Sequence, residues 1–451
     1  MKMTVILLVL SIVSISFTLF YPSEYYLELL PISFLFLNLI FLNLNRKFSD
    51  SFVFKIFLAQ GVVRYLILPV LFLVDPDIIG IQSKKINIAI FIMIFELFFV
   101  YLIFLFFSFQ KNINSTSDFK PYFFKGLYFI PILLVLIFSF IYLSGALVKV
   151  NAIWNLDSFV DKYITEGEEL SYNIVGILLF NLFKVLLLLY CFSKIFNSKI
   201  ISYDLKKWLY GILIIFSGLF ILGVSRFSIL LNMAVMFAML SSFMDKKEVN
   251  KVIYFSLPVV FFILLTATLA KFSRYGNEAT SDAVLTARSI NAYFSGFGNI
   301  AIGLDAYDYL YINNNVLYIV NDTIQNIPVL SKFALEDYKT NVKFNEMIYG
   351  HKSWADQIVP LSISGLFHFG YIGLFLYSPI FMAIALYFER LSKSVRFIGY
   401  KYVFTYLSIN LSLVFMLNLG SFYSSFFNNI LFIFFPLTLI YFFDKKKISF
   451  R

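Results

Sequence analysis

The chain has 451 residues, of which 60% are hydrophobic and only 14% are charged, and its formal net charge is +10. A mean hydropathy of +0.84 lies far outside the range of water-soluble proteins, so the composition indicates a membrane protein and excludes the soluble classes. The single cysteine, Cys191, excludes an intramolecular disulfide, and with only two histidines a zinc site built from Cys and His is also excluded.

Twelve apolar runs follow one another along the chain. They lie at about 5–20, 27–44, 51–74, 86–109, 126–146, 172–193, 208–223, 227–243, 252–270, 359–388, 402–418 and 424–443. Roughly 20 apolar residues cross a bilayer as one helix, so the pattern predicts an all-α polytopic membrane protein with about 12 transmembrane helices. The runs on either side of Arg226 fit two helices, and one long tilted helix is the alternative.

The longest polar stretch divides the chain into three predicted segments. Residues 1–270 form an N-terminal membrane bundle of about nine helices, residues 271–358 a large, partly helical loop, and residues 359–451 about three C-terminal membrane helices. Because membrane helices are usually joined by short turns, a polar insertion of 88 residues is the predicted working part of the chain.

The distribution of basic residues predicts the orientation of the chain. With both termini in the cytoplasm, the inner segments hold 21 of the 36 Lys and Arg residues, as the positive-inside rule requires. The loop at 271–358 carries 7 basic and 9 acidic residues and is therefore predicted to face outward, into the periplasm. The net positive charge is thus a topology signal and does not indicate nucleic-acid binding.

Three charged residues fall near the middle of apolar runs. Arg64 and Glu96 lie on neighbouring runs at similar distances from the turn between them, which predicts an ion pair. Because an unpaired charge at bilayer depth is costly, a structural pair is favoured over a role in substrate binding. Lys184, with Asn181 beside it, has no carboxylate nearby in the sequence and is a candidate for the lining of a cavity.

A candidate anion site surrounds Arg226 in the sequence GVSRFS. A guanidinium, two hydroxyls and the start of the next helix suit a phosphate group, while the alternative is an arginine that reaches out to lipid headgroups. Lys271, Arg274 and Arg288, at the start of the predicted loop, are further candidates for binding an anionic substrate.

The loop itself shows two amphipathic patterns, SDAVLTARSINAYF and NNVLYIVNDTIQNIP, the second of which Pro328 would end. Between them lie six aromatic residues near Asp305 and Asp308, a composition that suits sugar binding, with packing inside the loop as the alternative. The aromatic residues are Tyr293, Phe294, Phe297, Tyr307, Tyr309 and Tyr311. His351 and Asp356 follow at the predicted outer mouth of the next apolar run, which contains Gly365, Gly370 and Gly373.

Four features of the chain together resemble the Wzy-type O-antigen polymerases and the related O-antigen ligases. These features are the dozen apolar runs, the long loop in the second half, the arginine in ILGVSRFS, and GHKSW leading into a helix with HFGYIG. The ligase-like pattern has Asn after the histidine, whereas Lys352 follows His351 here.

The resemblance implies a metal-independent membrane glycosyltransferase without cofactors, in the bacterial inner membrane. It would polymerise undecaprenyl-pyrophosphate-linked oligosaccharide repeat units into O-antigen or capsular-type polysaccharide at the periplasmic face. Further partners would be a chain-length regulator protein and a flippase. Arginines would hold the pyrophosphate leaving group, while His351 with Asp356 would take the proton of the attacking hydroxyl. The alternative for His351 is a structural loop histidine.

A lipid-linked oligosaccharide flippase is the alternative function. Arg64, Glu96 and Lys184 would then line a central cavity. The single long loop and the lack of an internal repeat favour the polymerase.

Overall fold

A computed structural model describes residues 2–21, 23–74, 84–110, 129–144, 174–220, 226–241, 243–275, 290–310, 316–327, 330–351 and 357–449. Within these ranges, only the backbone is described at 2–3, 129, 174, 177, 226–227, 246, 264–275 and 444–449. Every regular element in this part of the chain is a helix, which confirms the predicted all-α class.

The helices group into two compact units. Unit 1 comprises residues 1–113, 280–389 and 408–427, and unit 2 comprises residues 114–279, 390–407 and 428–451.

The helices of unit 1 come from both ends of the chain. They are α1 (Lys2–Phe20), α2 (Leu29–Ile40), α3 (Leu42–Lys47), α4 (Phe52–Gly61), α5 (Leu68–Val74), α6 (Ile86–Phe109), α12 (Phe297–Tyr309), α13 (Val316–Ile324), α14 (Thr340–Tyr349), α15 (Leu361–Phe369) and most of α16 (Tyr377–Ser394) and α18 (Leu419–Asn429). A π-helical segment, Val62–Ile67, joins α4 to α5. Short 3₁₀ segments lie at Leu330–Phe333, Glu336–Tyr338 and Gly370–Phe375.

Unit 2 contains α7 (Phe129–Leu143), α8 (Ile174–Asn197), α9 (Tyr203–Leu219), α10 (Arg226–Leu240), α11 (Lys246–Tyr275), most of α17 (Ile398–Leu411) and α19 (Phe435–Ser449). A second π-helical segment, Ile430–Phe434, precedes α19. Helix α9 packs against α8, α10 and α11. The separate helices α9 and α10 confirm the prediction of two helices on either side of Arg226.

Local sequence accounts for several helix ends. Ser51 begins α4, its hydroxyl accepting a hydrogen bond from the backbone N–H of Phe54 (3.1 Å), and Ser202 caps α9 in the same manner. Gly350, with φ of +72°, ends α14 in the left-handed conformation that glycine adopts without strain. These contacts fix where the helices begin and end, while the packing of the helices depends on their buried apolar faces.

Among the described residues, four helical stretches are long and apolar enough to cross a membrane in one piece. They are Phe52–Val74, Ile86–Phe109, Leu178–Asn197 and Leu419–Phe443. A fifth candidate is the pair Leu361–Phe375 and Tyr377–Ser394, whose two parts meet at a bend of 77°. The apolar helices of spanning length identify a membrane protein, while the count of about twelve spans stays a prediction.

The apolar run predicted at about 359–388 is helical but broken. Residues 370–375 are a 3₁₀ segment, and the chain turns by 77° before α16. Two features cause the break: Gly370 has φ of +69°, and Gly365 and Gly373 pack backbone to backbone. A Cβ added to Gly365 would lie 1.9 Å from the carbonyl oxygen of Gly373, so only glycines allow this contact.

Candidate functional site

The polar insertion folds back onto helices of unit 1 in the part of the chain the structure describes. Helix α12 packs against α6, α14 and α15. Its first residue, Phe297, is buried with its ring edge-on to Phe72, at 5.1 Å between ring centroids. Two helices of this segment, α12 and α13, pack against α15, and the ring of Tyr318 in α13 lies edge-on to that of Phe367.

A buried ion pair lies in the membrane helices of the same unit. Arg64, in the π-helical segment, donates from Nη1 to Oε2 of Glu96 in α6 over 2.7 Å, which confirms the predicted pair. Both residues are at most 2% exposed. The guanidinium also lies 4.3 Å from the centre of the Phe415 ring, and Ser378 donates a short hydrogen bond to Glu96.

Arg64 makes a third contact, which reaches the polar insertion. Its Nε donates to the backbone carbonyl of Ser295 over 3.1 Å. Ser295 has φ of +46°, a left-handed conformation that costs a non-glycine residue free energy. The guanidinium thereby fixes the turn from which α12 begins.

The break between α15 and α16 brings a second polar group together. His368, near the end of α15, has a fully buried side chain. Its Nε2 lies 2.9 Å from Oδ2 of Asp322 in α13, and its Nδ1 lies 2.5 Å from the hydroxyl of Tyr377, the first residue of α16. The hydroxyl of Thr340 is a more distant neighbour, 3.5 Å from Nε2.

The carboxylate end of this group has further partners. The other carboxylate oxygen of Asp322 accepts from the backbone N–H of Thr340 over 3.0 Å and from the side chain of Gln325 over 2.9 Å. A chain of polar side chains therefore runs from Asp322 in α13 through His368 to Tyr377 at the start of α16, all within unit 1.

The structure leaves His351 on the surface. It is exposed, follows the end of α14, and its ring stacks on that of Tyr349 with 6.1 Å between centroids. Asp356 lies outside the described residues, so its predicted partnership with His351 stays a prediction.

The segment that contains His351 and Asp356 is anchored at its far end. Gln357 donates from its backbone N–H to the side chain of Asn345 over 3.1 Å, and its amide donates to the hydroxyl of Tyr349 over 2.9 Å. Asn299 of α12 reaches the carbonyl of Ile358. These bonds hold the connection between α14 and α15 against the rest of the insertion.

None of the four basic residues predicted to bind an anion has a described side chain. Arg226 is the first residue of α10, so its backbone lies at a helix N-terminus as predicted. Lys271 and Arg274 belong to the last turns of α11, a single helix that continues to Tyr275, beyond the predicted start of the loop. Arg288 lies outside the described residues. For Arg226, Lys271 and Arg274 only the backbone is described.

The aromatic residues of the insertion have separate environments. Phe297 is buried and Tyr307 lies beside Phe367, whereas Tyr309 is exposed. Tyr311 lies outside the described residues. Packing is therefore the observed role of Phe297 and Tyr307.

Asp305 and Asp308 bind a lysine. Lys85, just before α6, forms ion pairs with both carboxylates. Partial burial lowers the pKa of Lys85, but the hydrogen bonds and charges of Asp308 and Asp305 outweigh it and raise that pKa above its usual value. The two carboxylates therefore clamp α12 to the start of α6.

The predicted helices of the insertion are confirmed in part. Helix α13 falls within NNVLYIVNDTIQNIP and ends before Pro328. For SDAVLTARSINAYF, residues 290–293 are helical and the preceding positions lie outside the described residues.

Sequence reasoning missed the Asp322–His368 pair. The two residues are separated by 46 positions, and His368 entered only as part of the HFGYIG pattern. A weak signal was present, because Asp322 is the one acid in the apolar run VLYIVNDTI, and a carboxylate in such a run needs a polar partner when buried.

In the described part of the chain, no group of three or more His, Cys, Asp or Glu residues is placed to hold a metal ion. Comparisons of the chain with protein-family models, with curated proteins and with solved structures give no match.

Proposed function

We propose that this protein is a metal-independent membrane glycosyltransferase that polymerises undecaprenyl-pyrophosphate-linked oligosaccharide repeat units. The product is an O-antigen or capsular-type polysaccharide, assembled at the periplasmic face of the bacterial inner membrane. In this proposal the chain has about 12 transmembrane helices, both termini in the cytoplasm and one large periplasmic loop at 271–358. Its partners are the lipid-linked donor and acceptor, with a chain-length regulator and a flippase.

The observation that carries the proposal is the folded polar insertion. Its helices α12 to α14 belong to unit 1, where buried contacts of Ser295 and Asp322 and a partly exposed ion pair of Lys85 tie them to helices of spanning length or to the broken pair. Long ordered loops on a rigid scaffold are where binding and catalytic residues concentrate. A transferase that takes its substrate from the bilayer needs such a polar surface at the membrane.

The proposed chemistry needs little beyond positioning. A hydroxyl of the acceptor sugar attacks the anomeric carbon of the donor, and the pyrophosphate leaves with the bonding electron pair. Arg226, with Lys271, Arg274 and Arg288, is proposed to stabilise the anionic leaving group, while His351 with Asp356 is the proposed base.

The direct test is the pattern of surface glycan in a deletion strain. Loss of a polymerase leaves single repeat units at the surface, so the long ladder collapses to one short band. Complementation with the wild-type chain should restore the ladder. Normal chain lengths in the deletion strain would refute the proposal.

Arg226 offers a sharper test of the anion site. Lysine keeps the charge but loses the planar pair of donors, so Arg226→Lys should weaken polymerisation and Arg226→Ala should nearly abolish it. One lost charge-assisted hydrogen bond is worth about 1.5 to 3 kcal/mol, or roughly a ten- to hundredfold loss of rate. Arg46→Ala, at an exposed arginine of α3, is the control. Wild-type chain lengths in a normally expressed Arg226→Ala strain would contradict the assignment.

The orientation can be tested with single cysteines in a Cys191→Ser background. Glu336 and Ser394 are both exposed, and the proposal places Glu336 outside and Ser394 inside. An impermeant thiol reagent should therefore label Glu336→Cys, but not Ser394→Cys, in cells permeabilised at the outer membrane only. The reverse pattern would overturn the orientation.

A lipid-linked oligosaccharide flippase is the second candidate. The bent pair of α15 and α16 favours it, because transporters build substrate sites from discontinuous helices. Lys184, buried in a helix of spanning length, is compatible with a cavity. A flippase deletion leaves no repeat units at the surface, so the same glycan gel separates the two candidates.

A further inference from the structure

Helix α13 of the polar insertion has its polar and apolar faces reversed. Its buried face carries Tyr318, Asn321 and Asp322, whereas Val316 and Val320 on the opposite face are exposed, Val316 to 69%. A helix on the surface of a water-soluble domain buries its apolar stripe and turns its polar residues to the solvent. The reversed pattern indicates that the medium outside α13 is apolar.

The polar residues can occupy the buried face because the protein supplies their partners. Asp322 is hydrogen-bonded to His368 and to the backbone N–H of Thr340. The side-chain oxygen of Asn321 accepts from the backbone N–H of Leu335 over 2.6 Å. Buried polar groups with such partners avoid most of the cost of leaving water. These bonds fix the rotation of α13 about its axis and thereby turn its valines outward.

A second stretch of apolar side chains lies beside α13. The 3₁₀ segment Leu330–Phe333 packs against this helix, and the bond to Asn321 holds Leu335 next to it. Leu330, Phe333 and Leu335 are all exposed, Phe333 to 66%. Together with the exposed residues of α13 they form a surface that we call the outer apolar patch. Its members are Val316, Leu317, Val320, Leu330, Phe333 and Leu335.

The outer apolar patch lies next to the outward surface of the broken helix pair. Helix α13 packs against α15, where the ring of Tyr318 lies edge-on to that of Phe367. Phe369, Tyr371 and Ile372, which follow Phe367 in the chain, are also exposed. They belong to a pair of helices apolar enough to span a membrane, so acyl chains are the medium that suits their side chains.

Charged residues mark the boundary of the outer apolar patch. Lys332 is exposed, and its ammonium group lies 5.6 Å from the centre of the Phe333 ring. At a membrane interface a lysine reaches up to the headgroups while a neighbouring aromatic ring stays at the edge of the acyl chains. The exposed Glu336 follows Leu335 directly. A change from apolar to charged side chains over so few residues is the pattern expected at headgroup level.

We propose that α13 and residues 330–335 lie in the membrane interface, with the outer apolar patch among the acyl chains of one leaflet. The partner of this face is the lipid bilayer itself. Helices of this kind sink their apolar side about 5 to 10 Å below the headgroups. The insertion is then more than an aqueous loop, because one of its helices anchors it to the bilayer surface. This inference concerns the membrane contact and does not depend on the proposed activity.

The test is site-directed spin labelling of the full-length protein in vesicles of phosphatidylethanolamine and phosphatidylglycerol. Val316→Cys, Val320→Cys and Phe333→Cys are made singly in a Cys191→Ser background and labelled with a nitroxide. Oxygen concentrates among acyl chains and a neutral nickel chelate in water, so the ratio of their collision rates with the label reports the surrounding medium.

Two exposed positions of unit 1 serve as references. Phe95→Cys, in the middle of α6, is the reference for lipid, and Glu336→Cys, just beyond the outer apolar patch, is the reference for water. The ratio of oxygen to nickel collisions should be several-fold higher at the three patch positions than at Glu336→Cys, and should approach the ratio at Phe95→Cys. All substituted positions are exposed, and a size-exclusion profile checks that each variant is folded.

Two outcomes would overturn the proposal. Patch positions with the same ratio as Glu336→Cys would place the outer apolar patch in water. Low collision rates with both reagents would place protein against it, and magnetic broadening between labels would identify that protein as a second copy of the chain. Neither outcome bears on polymerisation, so a failure of this proposal is distinct from a failure of the proposed function.

Discussion

The ion pair of Arg64 and Glu96 gives the most direct test of how unit 1 is held together. Arg64→Met removes the cation but keeps a side chain of similar length. It leaves the Glu96 carboxylate, which is 2% exposed, with the hydrogen bond from Ser378 but without its counter-ion, and it removes the donor to the Ser295 carbonyl. Breaking a buried pair by removing one partner costs about 3 to 5 kcal/mol, because the other charge stays buried.

The magnitude can be converted into a melting temperature. Unit 1 contains about 240 residues, and domains of that size shift by about 2 to 4 °C for each kcal/mol. Arg64→Met should therefore lower the apparent Tm by about 6 to 20 °C. Glu96→Gln should lower it as well, because it leaves the guanidinium without its counter-ion. The assay is thermal unfolding of the purified protein in detergent, followed by tryptophan fluorescence, with Arg46→Met as the exposed control.

A double substitution separates the pair from its single members. Once Arg64 is gone, the charge on Glu96 is a liability, so Glu96→Gln should cost less in the Arg64→Met background than in the wild type. The double variant should thus unfold at a higher temperature than the sum of the single losses predicts. Wild-type Tm values in both single variants, or strict additivity in the double variant, would refute the reasoning.

Three further predictions concern other contacts of unit 1. Glu389→Gln should lower the apparent Tm by several degrees. The buried carboxylate accepts a hydrogen bond from the Ser51 hydroxyl over 2.6 Å, and its negative charge stabilises the N-terminus of α4. Gly365→Ala should give almost no folded protein on a size-exclusion profile, because its Cβ would meet the backbone of Gly373 rather than a movable side chain. Lys85→Met should cost about 1 kcal/mol at neutral pH, given partial exposure and screening. Because the pKa of Lys85 is raised in the folded state, its ion pairs contribute fully to stability at neutral pH. The destabilisation caused by Lys85→Met should disappear only as the pH rises through that raised pKa.

The sequence was most informative where one physical cost dominates. An unpaired charge in an apolar run is expensive, so Arg64 and Glu96 could be paired from their matched distances to one turn. The helices of spanning length followed from the same logic, since Ile86–Phe109 coincides with the apolar run predicted at about 86–109. In both cases the information is local to one hairpin of helices.

The break in the C-terminal apolar run could not be predicted in this way. Gly365, Gly370 and Gly373 were visible, but glycines are common in membrane helices and do not by themselves mark a bend. The bend depends on the contact of two glycine backbones and on the hydrogen bonds of Tyr377 with His368 in α15 and of Ser378 with Glu96 in α6. Such long-range contacts have no periodic signature.

The first two residues of α16 explain how a polar insertion is kept in place on an apolar protein. Tyr377 is hydrogen-bonded to His368, which is in turn hydrogen-bonded to Asp322 in α13. Ser378 is hydrogen-bonded to Glu96, which forms the ion pair with Arg64. Successive side chains of a helix point about 100° apart, so one helix start can serve both groups.

Arg64 completes this arrangement by holding the carbonyl of Ser295 at the turn before α12. The insertion is therefore fixed to the apolar helices of unit 1 at two points, Ser295 and Asp322, by directional bonds between buried groups. Apolar contacts alone would tolerate sliding along a helix, whereas each of these bonds is lost when its partners separate by about 1 Å. A site built on α13 can then keep its geometry, because the helix that carries Asp322 is positioned by this buried network.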